Sequence, residues 1–387
     1  MVPARHKLFG TRIGVPPDIL YCYVIGPGYG EAIVLHLPGG IWGVVDSCTG
    51  RRNGLDTNYP LEVLRKNQVE RLSFVALTHP HEDHVLGLAE IIDAIPVDEV
   101  WLYDGMSRVE VLSRSPGALD SLRANDGSVR MVGHLHNLQS AIRRRKAAVR
   151  FVRSGLTLLE YGHNAHLATR SGPTWVRMEA LTPGDADIVH YEAGLDNMLG
   201  AEGNVVVGGK GDAANVISTC FRVSYGRTSL LLGGDVMADG DVHSGWPGVV
   251  AREERRRGHC RLASDSVKVS HHGSQSSFLP TAWLRHAAKK RPISMLTPCK
   301  HMLPRLPGLS TLADRSSEVH CTGYGALPTQ EKLTAWAQAR GLEVVFRHDA
   351  PFHGEMPGAV SLAFDDCGRC VHLRRHGNAF GVLARPL

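Results

Sequence analysis

Three histidines and an aspartate lie close together in the segment His79-Pro80-His81-Glu82-Asp83-His84. Imidazole nitrogens and carboxylate oxygens are ligands that zinc, manganese and iron take in proteins. In an extended loop, residues two apart project to the same side, so His79 and His81 can hold one cation while Asp83 and His84 turn toward a second. The spacing therefore predicts a metal site. Chance clustering in a chain that holds 21 histidines is the alternative.

An apolar run from Phe74 to Leu77 precedes this cluster and predicts a buried strand. Pro80 cannot continue a strand because its ring removes the backbone N–H donor, so the chain must leave the sheet as a loop at His79. Strand ends are the usual place of sites in open α/β layers. We therefore expect the histidine cluster at the end of a central strand.

Three further predicted strands end in residues of the ligand type, namely Asp46, Asp235 and the pair His271 and His272. Each alone has another interpretation, since Asp46 followed by Ser47 is also typical of a turn or a helix cap. If all these strand ends meet at one sheet edge, they supply enough side chains for two metal ions about 3.5 to 4 Å apart.

Composition sets bounds on the class of protein. The chain has 387 residues, of which 43% are hydrophobic, and this is ample for a globular core. The formal net charge of +5 is too modest for an indiscriminate polycation and leaves protein partners unpredicted. No apolar stretch reaches the length of about 18 residues that spans a membrane, and no apolar signal segment follows the start. We expect a soluble cytoplasmic protein without membrane contacts.

The eight cysteines are too scattered for a disulfide framework, so reduced thiols are expected. Cys367 and Cys370 form the only C-x-x-C pair. Without a second pair it is weak evidence for structural zinc, and the alternating residues on either side favour a hairpin turn.

Periodicity predicts an order of three strands, a helix, the strand before the histidine cluster and a second helix, over 20–25, 31–36, 42–45, 60–70, 74–77 and 85–95. Further strands are predicted over 98–102, 176–181, 216–223, 229–232, 267–270, 293–296 and 318–321. A final unit has a helix over 330–340, a strand over 342–347 and the hairpin around Cys367. The polar, glycine-rich segment 184–214 is predicted to be a loop or lid.

A basic run at 143–146, with Arg150 and Arg153 after it, falls on a helix predicted to start near Ser140. A solvated helix face is the first interpretation of such a run. Contact with phosphate or nucleic acid is the alternative.

The loop His79-x-His81-x-Asp83-His84 resembles the signature metal loop of the metallo-β-lactamase fold superfamily. The segments 231–235, 267–274 and 318–322 are similar to the branch that forms the soluble domain of ComEC-type DNA-uptake proteins. The resemblance implies an α/β fold, a four-layer αββα sandwich with an insertion and a C-terminal extension. It implies a domain over 15–325, with insertion or lid segments at 103–175 and 184–214, and an α+β extension over 326–387 packed on the same domain.

The resemblance also implies two divalent metal ions, Zn²⁺ or Mn²⁺. His79 and His81 would bind the first ion, and Asp83 and His84 the second. Asp235 would bridge both ions.

His271 is the expected late histidine ligand because it leaves its strand first, and His272 is the alternative or a proton donor. Asp46 would orient the metal loop instead of binding metal. The superfamily often supplies another histidine about twenty residues before the bridging aspartate, whereas this chain has Asp212 and Asn215 there. Either residue would substitute as the third ligand of the first metal.

The favoured function is a metal-dependent hydrolase of the phosphodiesterase or nuclease type that uses a metal-bridged hydroxide, with Asp83 among its catalytic residues. The substrate would be a nucleic acid or a nucleotide. Lys268, His272 and His301 would neutralise substrate charge or protonate the leaving oxygen. Lys268 has an alternative as a solvent-facing partner of Asp265.

Two other functions remain open. An ester, lactone or amide hydrolase would use the same metal hydroxide, and an apolar pocket without cations above the metals would favour it. A non-catalytic, metal-stabilised binding protein would hold metal without turnover. Fold-level analogy cannot choose among these substrates.

Overall fold

Two β-sheets form the centre of the protein in this computed structural model. The structure describes residues 15–26, 30–52, 55–104, 126–163, 173–199, 213–238, 241–257, 262–286, 291–299, 302–346 and 357–384. Within these ranges the strands are β1 (Leu20–Gly26), β2 (Ala32–Leu37), β3 (Ile41–Val45), β4 (Thr49–Arg52), β5 (Leu55–Asn58), β6 (Leu72–Leu77), β7 (Val97–Tyr103), β8 (Ala148–Val152), β9 (Thr157–His163), β10 (Thr174–Ala180), β11 (Phe221–Tyr225), β12 (Thr228–Leu232), β13 (Ser266–Lys268), β14 (Ile293–Leu296), β15 (Glu318–Cys321), β16 (Leu342–Phe346), β17 (Gly358–Phe364), β18 (Cys370–Gly377) and β19 (Phe380–Ala384).

The helices of the same ranges are α1 (Tyr59–Lys66), α2 (Glu82–Val85), α3 (Leu88–Ala94), α4 (Asp126–Arg145), α5 (Asp185–Leu199), α6 (Gly245–Arg257), α7 (Pro280–His286), α8 (Leu306–Ala313) and α9 (Gln330–Ala339). The start of α1 shows how the sequence specifies a helix. Asn58 caps it, because its side-chain oxygen accepts a hydrogen bond from the backbone N–H of Leu61, and Pro60 follows where a missing N–H costs nothing.

The first sheet has the strand order β18-β17-β1-β2-β3-β6-β7-β8, and the second has the order β16-β19-β15-β14-β13-β12-β11-β10-β9. In the first sheet β3, β6, β7 and β8 run parallel. In the second sheet β12, β13, β14 and β15 run parallel. The carboxyl ends of parallel neighbours lie at the same edge, so each sheet gathers several strand ends at one place.

A core between the two sheets is formed by alternate residues of their strands. In β6, Phe74 and Ala76 face this inner core, whereas Val75 and Leu77 face an outer core under helices. Met178 and Leu230 of the second sheet join the same inner core. Because strand side chains alternate between faces, each of these strands is apolar on both sides.

Helices cover both outer faces. The first sheet is covered by α1, α3 and α4, which contribute Leu64, Ile91 and Leu138 to its outer core. The second sheet is covered by α6, α7, α8 and α9, through residues such as Trp246 and Leu309. The order helix, sheet, sheet, helix confirms the four-layer αββα sandwich expected for this α/β protein.

The predicted strands over 293–296 and 318–321 are confirmed to the residue, and most others are confirmed within two residues. The hairpin around Cys367 is also confirmed, since β17 and β18 pair antiparallel and the Asp365 carboxylate accepts hydrogen bonds from the backbone N–H groups of Cys367 and Arg369.

Three expectations of local structure are wrong. The helix expected to start near Ser140 begins at Asp126, as α4. The segment 184–214 was expected to be a loop, but its described part begins with the fifteen-residue helix α5. The strand expected over 216–223 begins only at Phe221, after a short 3₁₀ turn over Ala213–Ile217. Polar residues within α5 hide its single buried face, along which Ile188 and Tyr191 pack on the outer core of the first sheet.

The division into domain, insertion and extension stays a prediction. Strands from the expected insertion form one edge of each sheet, β8 in the first and β9 in the second. The expected C-terminal extension supplies β17 and β18 to the first sheet and β16 and β19 to the second. Among the described helices, none combines the length and apolarity that crossing a bilayer requires.

Candidate metal centre

The ligand-type residues predicted at strand ends meet where the carboxyl edges of the two sheets approach each other. Thr78, after β6, accepts a backbone hydrogen bond of 3.0 Å from Thr219, before β11. His79 Nε2 lies 3.9 Å from Asp235 Oδ2, which follows β12 in the other sheet. Residues from the two sheets therefore form one cluster.

The metal loop leaves β6 and turns into α2. His79 and His84 are fully buried. His79 Nε2 lies 3.0 Å from His81 Nδ1, and the rings of His79 and His84 are 4.2 Å apart between centroids. The three imidazoles thus converge as the spacing of the loop predicts.

Asp46 anchors this loop. Its carboxylate accepts hydrogen bonds from the backbone N–H of Thr78 at 2.8 Å, from the Thr78 hydroxyl at 2.7 Å and from His84 Nδ1 at 2.7 Å. Because Nδ1–H of His84 is used here, the lone pair of Nε2 faces the cluster, 3.6 Å from Asp235 Oδ2. The geometry supports the orienting role expected for Asp46.

The structure places His272, and not His271, in the cluster. His272 is buried, with Nε2 3.5 Å from Asp83 Oδ2 and 3.7 Å from Asp235 Oδ2. Its Nδ1 lies 3.2 Å from the carbonyl oxygen and 3.0 Å from the hydroxyl oxygen of Thr297. The half-buried His271 instead has Nε2 3.4 Å from Asn215 Nδ2.

Backbone conformation explains why the second histidine, and not the preferred first one, lies in the cluster. Both residues have positive φ, 48° for His271 and 52° for His272. At an extended strand end, the first histidine would lie over the edge of the sheet. Two successive residues with left-handed backbone angles instead turn the second histidine toward the cluster. This conformation is uncommon outside glycine and accounts for a turn that the strand pattern does not predict.

The cluster contains three overlapping sets of residues, and within each set the ligand atoms lie within 4.8 Å of one another. They are Glu31 with His84, Asp235 and His272; His79 with His81 and Asp235; and Asp83 with His272 and Cys299. Asp235 is shared by the first two sets, which is the position that a bridging ligand would have.

The donors of this cluster fit divalent cations. Four of its buried polar atoms have no hydrogen-bond partner among the described residues: Glu31 Oε1, His84 Nε2, Asp235 Oδ1 and His272 Nε2. Buried polar atoms are nearly always satisfied, because an unpaired one costs free energy. Imidazole nitrogen with carboxylate oxygen is a donor set for Zn²⁺ or Mn²⁺, which would satisfy these atoms.

The charges of the cluster support each other. Burial opposes ionisation of Asp83 and Asp235, yet the nearby imidazole of His84, followed by that of His272, holds the pKa of each carboxyl below its usual range. Burial would lower the pKa of His84 and His272, but the carboxylate of Asp235 raises both above the ordinary value. His79 differs, since burial and then its neighbour His84 hold its pKa well below that of free histidine.

Other predicted site residues are placed differently. Asn215 is buried beside His271, and its amide also lies 4.0 Å from Met237 Sδ. Lys268 is fully buried and ion-paired with Glu31, which favours a positioning role over contact with substrate. It is also not the partner of Asp265, whose carboxylate accepts a hydrogen bond from Ser229 N. Asp212 and His301 lie outside the described residues.

Sequence reasoning missed Glu31, Thr297, Ser218 and Cys299. Ser218 Oγ accepts a hydrogen bond of 2.8 Å from Asp235 N and lies 3.4 Å from His79 Nδ1. Cys299 Sγ lies 3.7 Å from Asp83 Oδ2. The one available signal was at Glu31, a carboxylate directly before the wholly apolar start of β2.

Arg144 of the basic run 143–146 and the two arginines after the run are paired with carboxylates. Arg144 pairs with Asp93 at 2.6 Å, Arg150 pairs with Glu99 at 2.8 Å, and Arg153 pairs with Asp104. These pairs support the interpretation of a solvated face.

Comparison with known proteins gives the class of fold. Residues 25–107 match the family model of the metallo-beta-lactamase superfamily, and this segment contains Asp46 and the whole metal loop. The sandwich and the metal loop together define a protein of the metallo-β-lactamase fold. No curated protein matches the chain in sequence.

Solved structures of this fold are similar only at a distance. The metallo-beta-lactamase fold protein YhfI from Bacillus subtilis is 13% identical, with 79% of this chain and 96% of that chain covered and a TM-score of 0.38. A diphosphatase from the PhnP family is 12% identical, with 72% and 86% covered and a TM-score of 0.33. AidC, a dizinc quorum-quenching lactonase, is 14% identical, with 53% and 55% covered and a TM-score of 0.29. At these identities and TM-scores, the similarity indicates nothing about the substrate of this protein.

Proposed function

We propose that the protein is a metal-dependent hydrolase with two divalent ions, Zn²⁺ or Mn²⁺, held by His79, His81, Asp83, His84, Asp235 and His272. The observation that carries the proposal is the convergence of buried metal-ligand atoms from both sheets that have no hydrogen-bond partner in the described ranges, including His84 Nε2, Asp235 Oδ1 and His272 Nε2. A structural cluster would be expected to satisfy these atoms internally.

The protein's own residues do the positioning. Asp46 fixes the ring of His84, Thr297 fixes the ring of His272, and Ser218 holds the backbone N–H of Asp235. When bound, a pair of divalent ions lowers the pKa of a shared water to about 7 and stabilises the negative charge that develops during hydrolysis. The rings of His84 and His272 need little reorganisation to receive the ions, because each is already oriented by a hydrogen bond.

The finer proposal is a phosphodiester substrate in nucleic acid or a nucleotide. It is supported by the resemblance of segments 231–235, 267–274 and 318–322 to the ComEC-type branch. An ester or lactone substrate is the second candidate, because the neighbouring cation Lys268 is occupied by Glu31.

The test combines metal analysis with hydrolysis assays on purified protein. We expect bound divalent metal and hydrolysis of a generic phosphodiester, DNA, RNA or cyclic nucleotides when Mn²⁺, Zn²⁺ or Mg²⁺ is supplied. Asp83→Ala should lose bound metal and lower the rate by about 100-fold or more, the order of magnitude for loss of a positioned catalytic group. Asp98→Ala, which removes an exposed carboxylate paired with Arg71, is the matched control.

The alternatives give different results. Activity on esters or lactones but on no phosphodiester would move the protein to the second candidate. Bound metal without turnover of any substrate would contradict a hydrolase and support a binding protein.

A further inference from the structure

A buried carboxylate, Glu31, has a ligand atom within 4.8 Å of those of His84, Asp235 and His272, and its backbone contacts the metal loop. Its N–H donates a hydrogen bond of 3.1 Å to the carbonyl oxygen of Asp83. The preceding Gly30 has φ of 88°, and a Cβ there would lie 2.3 Å from the same oxygen. The chain can therefore approach the metal loop this closely only through a glycine.

The charge partner of Glu31 is Lys268, which is also completely buried. The ammonium group donates a second hydrogen bond, of 3.2 Å, to the carbonyl oxygen of Gly234. Gly234 directly precedes Asp235, so Lys268 connects Glu31 to the loop of the shared ligand. A buried ion pair needs further hydrogen bonds to offset the loss of hydration. Lys268 has one to Gly234 O and Glu31 Oε2 has one from Thr297, while Glu31 Oε1 has no partner among the described residues.

Thr297 connects Glu31 to the third ligand-bearing loop. Its hydroxyl donates to Glu31 Oε2 at 2.8 Å, so the oxygen lone pairs of that hydroxyl remain free to accept from Nδ1–H of His272 at 3.0 Å. With the proton of His272 held on Nδ1, the lone pair on Nε2 faces Asp83 and Asp235. The direction of the hydroxyl thus selects the tautomer that can bind metal.

Glu31 therefore contacts, directly or through one residue, the loops that carry Asp83, Asp235 and His272. We propose that Glu31 and Lys268 form a buried brace, a positioning ion pair that sets the spacing of these loops and the tautomer of His272 and thereby sets metal affinity. The inference rests on the proposed metal-dependent function and gives Glu31 and Lys268 a positioning role in metal binding.

The experiment compares four variants of the full chain with the wild type: Glu31→Gln, Lys268→Met, the double variant with both changes, and Thr297→Val. Zn²⁺ and Mn²⁺ affinity is measured by competition with a chromogenic chelator, and folding by thermal unfolding in excess chelator. Glu318→Gln is the matched control, because Glu318 pairs with His320 in β15 of the second sheet.

If Glu31 and Lys268 act as a brace, the effects of the variants on folding and on metal affinity should differ. Each single charge change leaves a buried unpaired ion and should lower the unfolding temperature, whereas the double variant should recover most of it. The double variant and Thr297→Val should nevertheless bind metal about 10- to 100-fold more weakly than the wild type, the range for loss of a group that orients a ligand. Glu318→Gln should leave metal affinity unchanged.

Three results would overturn the brace. A double variant that folds and binds metal with wild-type affinity would show that the pair has no part in binding. Unchanged affinity in Thr297→Val would break the connection to His272. Loss of a whole metal equivalent in Glu31→Gln, with the remaining affinity unchanged, would make Glu31 a ligand instead of a positioning residue. A wild type that binds neither ion would instead overturn the proposed function itself.

Discussion

Asp46 shows how much the candidate metal centre depends on a residue outside the proposed ligand set. It has a left-handed backbone, with φ of 56°, and its carboxylate accepts three hydrogen bonds from Thr78 and His84. A side chain that holds a ligand ring and a ligand loop at once sets the geometry into which the ion must fit.

We expect Asp46→Asn to weaken metal binding by about 10- to 100-fold with little loss of folded protein. An amide has one oxygen where the carboxylate has two, so its nitrogen would face a donor from Thr78 or His84. Chelator competition measures the change, with Asp98→Asn as the exposed control. An affinity within twofold of wild type would contradict the orienting role.

The buried imidazole of His36 leads to a separate prediction about how folding stability depends on pH. Its Nδ1 lies 3.0 Å from the carbonyl oxygen of Ile19, and burial lowers the pKa of the imidazole to about 4. The unfolded chain takes up this proton below about 6.5, whereas the folded chain does so only near 4. Stability is therefore fully present above pH 6.5 and declines as the pH falls toward 4, by about 3 kcal/mol for this group.

The measurement is urea unfolding between pH 7.5 and 4.5 in the presence of chelator, for the wild type and for His36→Gln. Both proteins share the metal-ligand histidines, so the difference between their slopes isolates His36. Parallel slopes would show that His36 does not contribute.

At the level of strands and helices, the sequence predicts which strand ends carry ligand-type residues. It does not predict which buried residues contact those strand ends. Asp46, Asp235 and the histidine loop each follow an apolar run, and such runs are visible locally. Glu31 and Lys268 are partners from distant parts of the chain, so neither sequence neighbourhood shows the pair. The inward turn of His272 depends on two consecutive positive φ angles that only the folded loop imposes.

The edge strands are also hard to predict from the sequence. In β8, Val149 and Phe151 are exposed at 45% and 44%, so the strand lacks the buried pattern that makes central strands such as β6 predictable. Helix α5 is missed in the sequence for a related reason, because only a few of its residues face the core. Burial on one side or none weakens the periodic signal.

The C-terminal strands provide a prediction about the sheets. β17 pairs with β1 over seven residues, and β19 lies between β15 and β16. We expect a chain ending at residue 341 to lose cooperative unfolding and to aggregate, because the edges of β1 and β15 would be unpaired. Soluble yield and near-ultraviolet circular dichroism measure this, and a chain ending at Ala384 is the control. A soluble, cooperatively unfolding truncation would show that the extension is dispensable.

For the molecule as a whole, bound metal should connect the two sheets. His79, His81, Asp83 and His84 follow a strand of the first sheet, whereas Asp235 and His272 follow strands of the second. An ion that binds only the folded protein stabilises it by about 2.7 kcal/mol when its free concentration is 100 times Kd. We expect Zn²⁺ or Mn²⁺ to raise the Tm by several degrees, and Asp235→Asn to abolish most of the shift. A Tm that neither ion changes would contradict a centre shared between the sheets.

The pairing of β17 with β1 also has a consequence for biosynthesis. A ribosome makes β1 long before β17, so β1 must wait for its second neighbour while the intervening chain is synthesised. During that interval an apolar strand with open hydrogen-bonding groups is available to other nascent chains. β1 is therefore a segment for which chaperone protection during synthesis should matter.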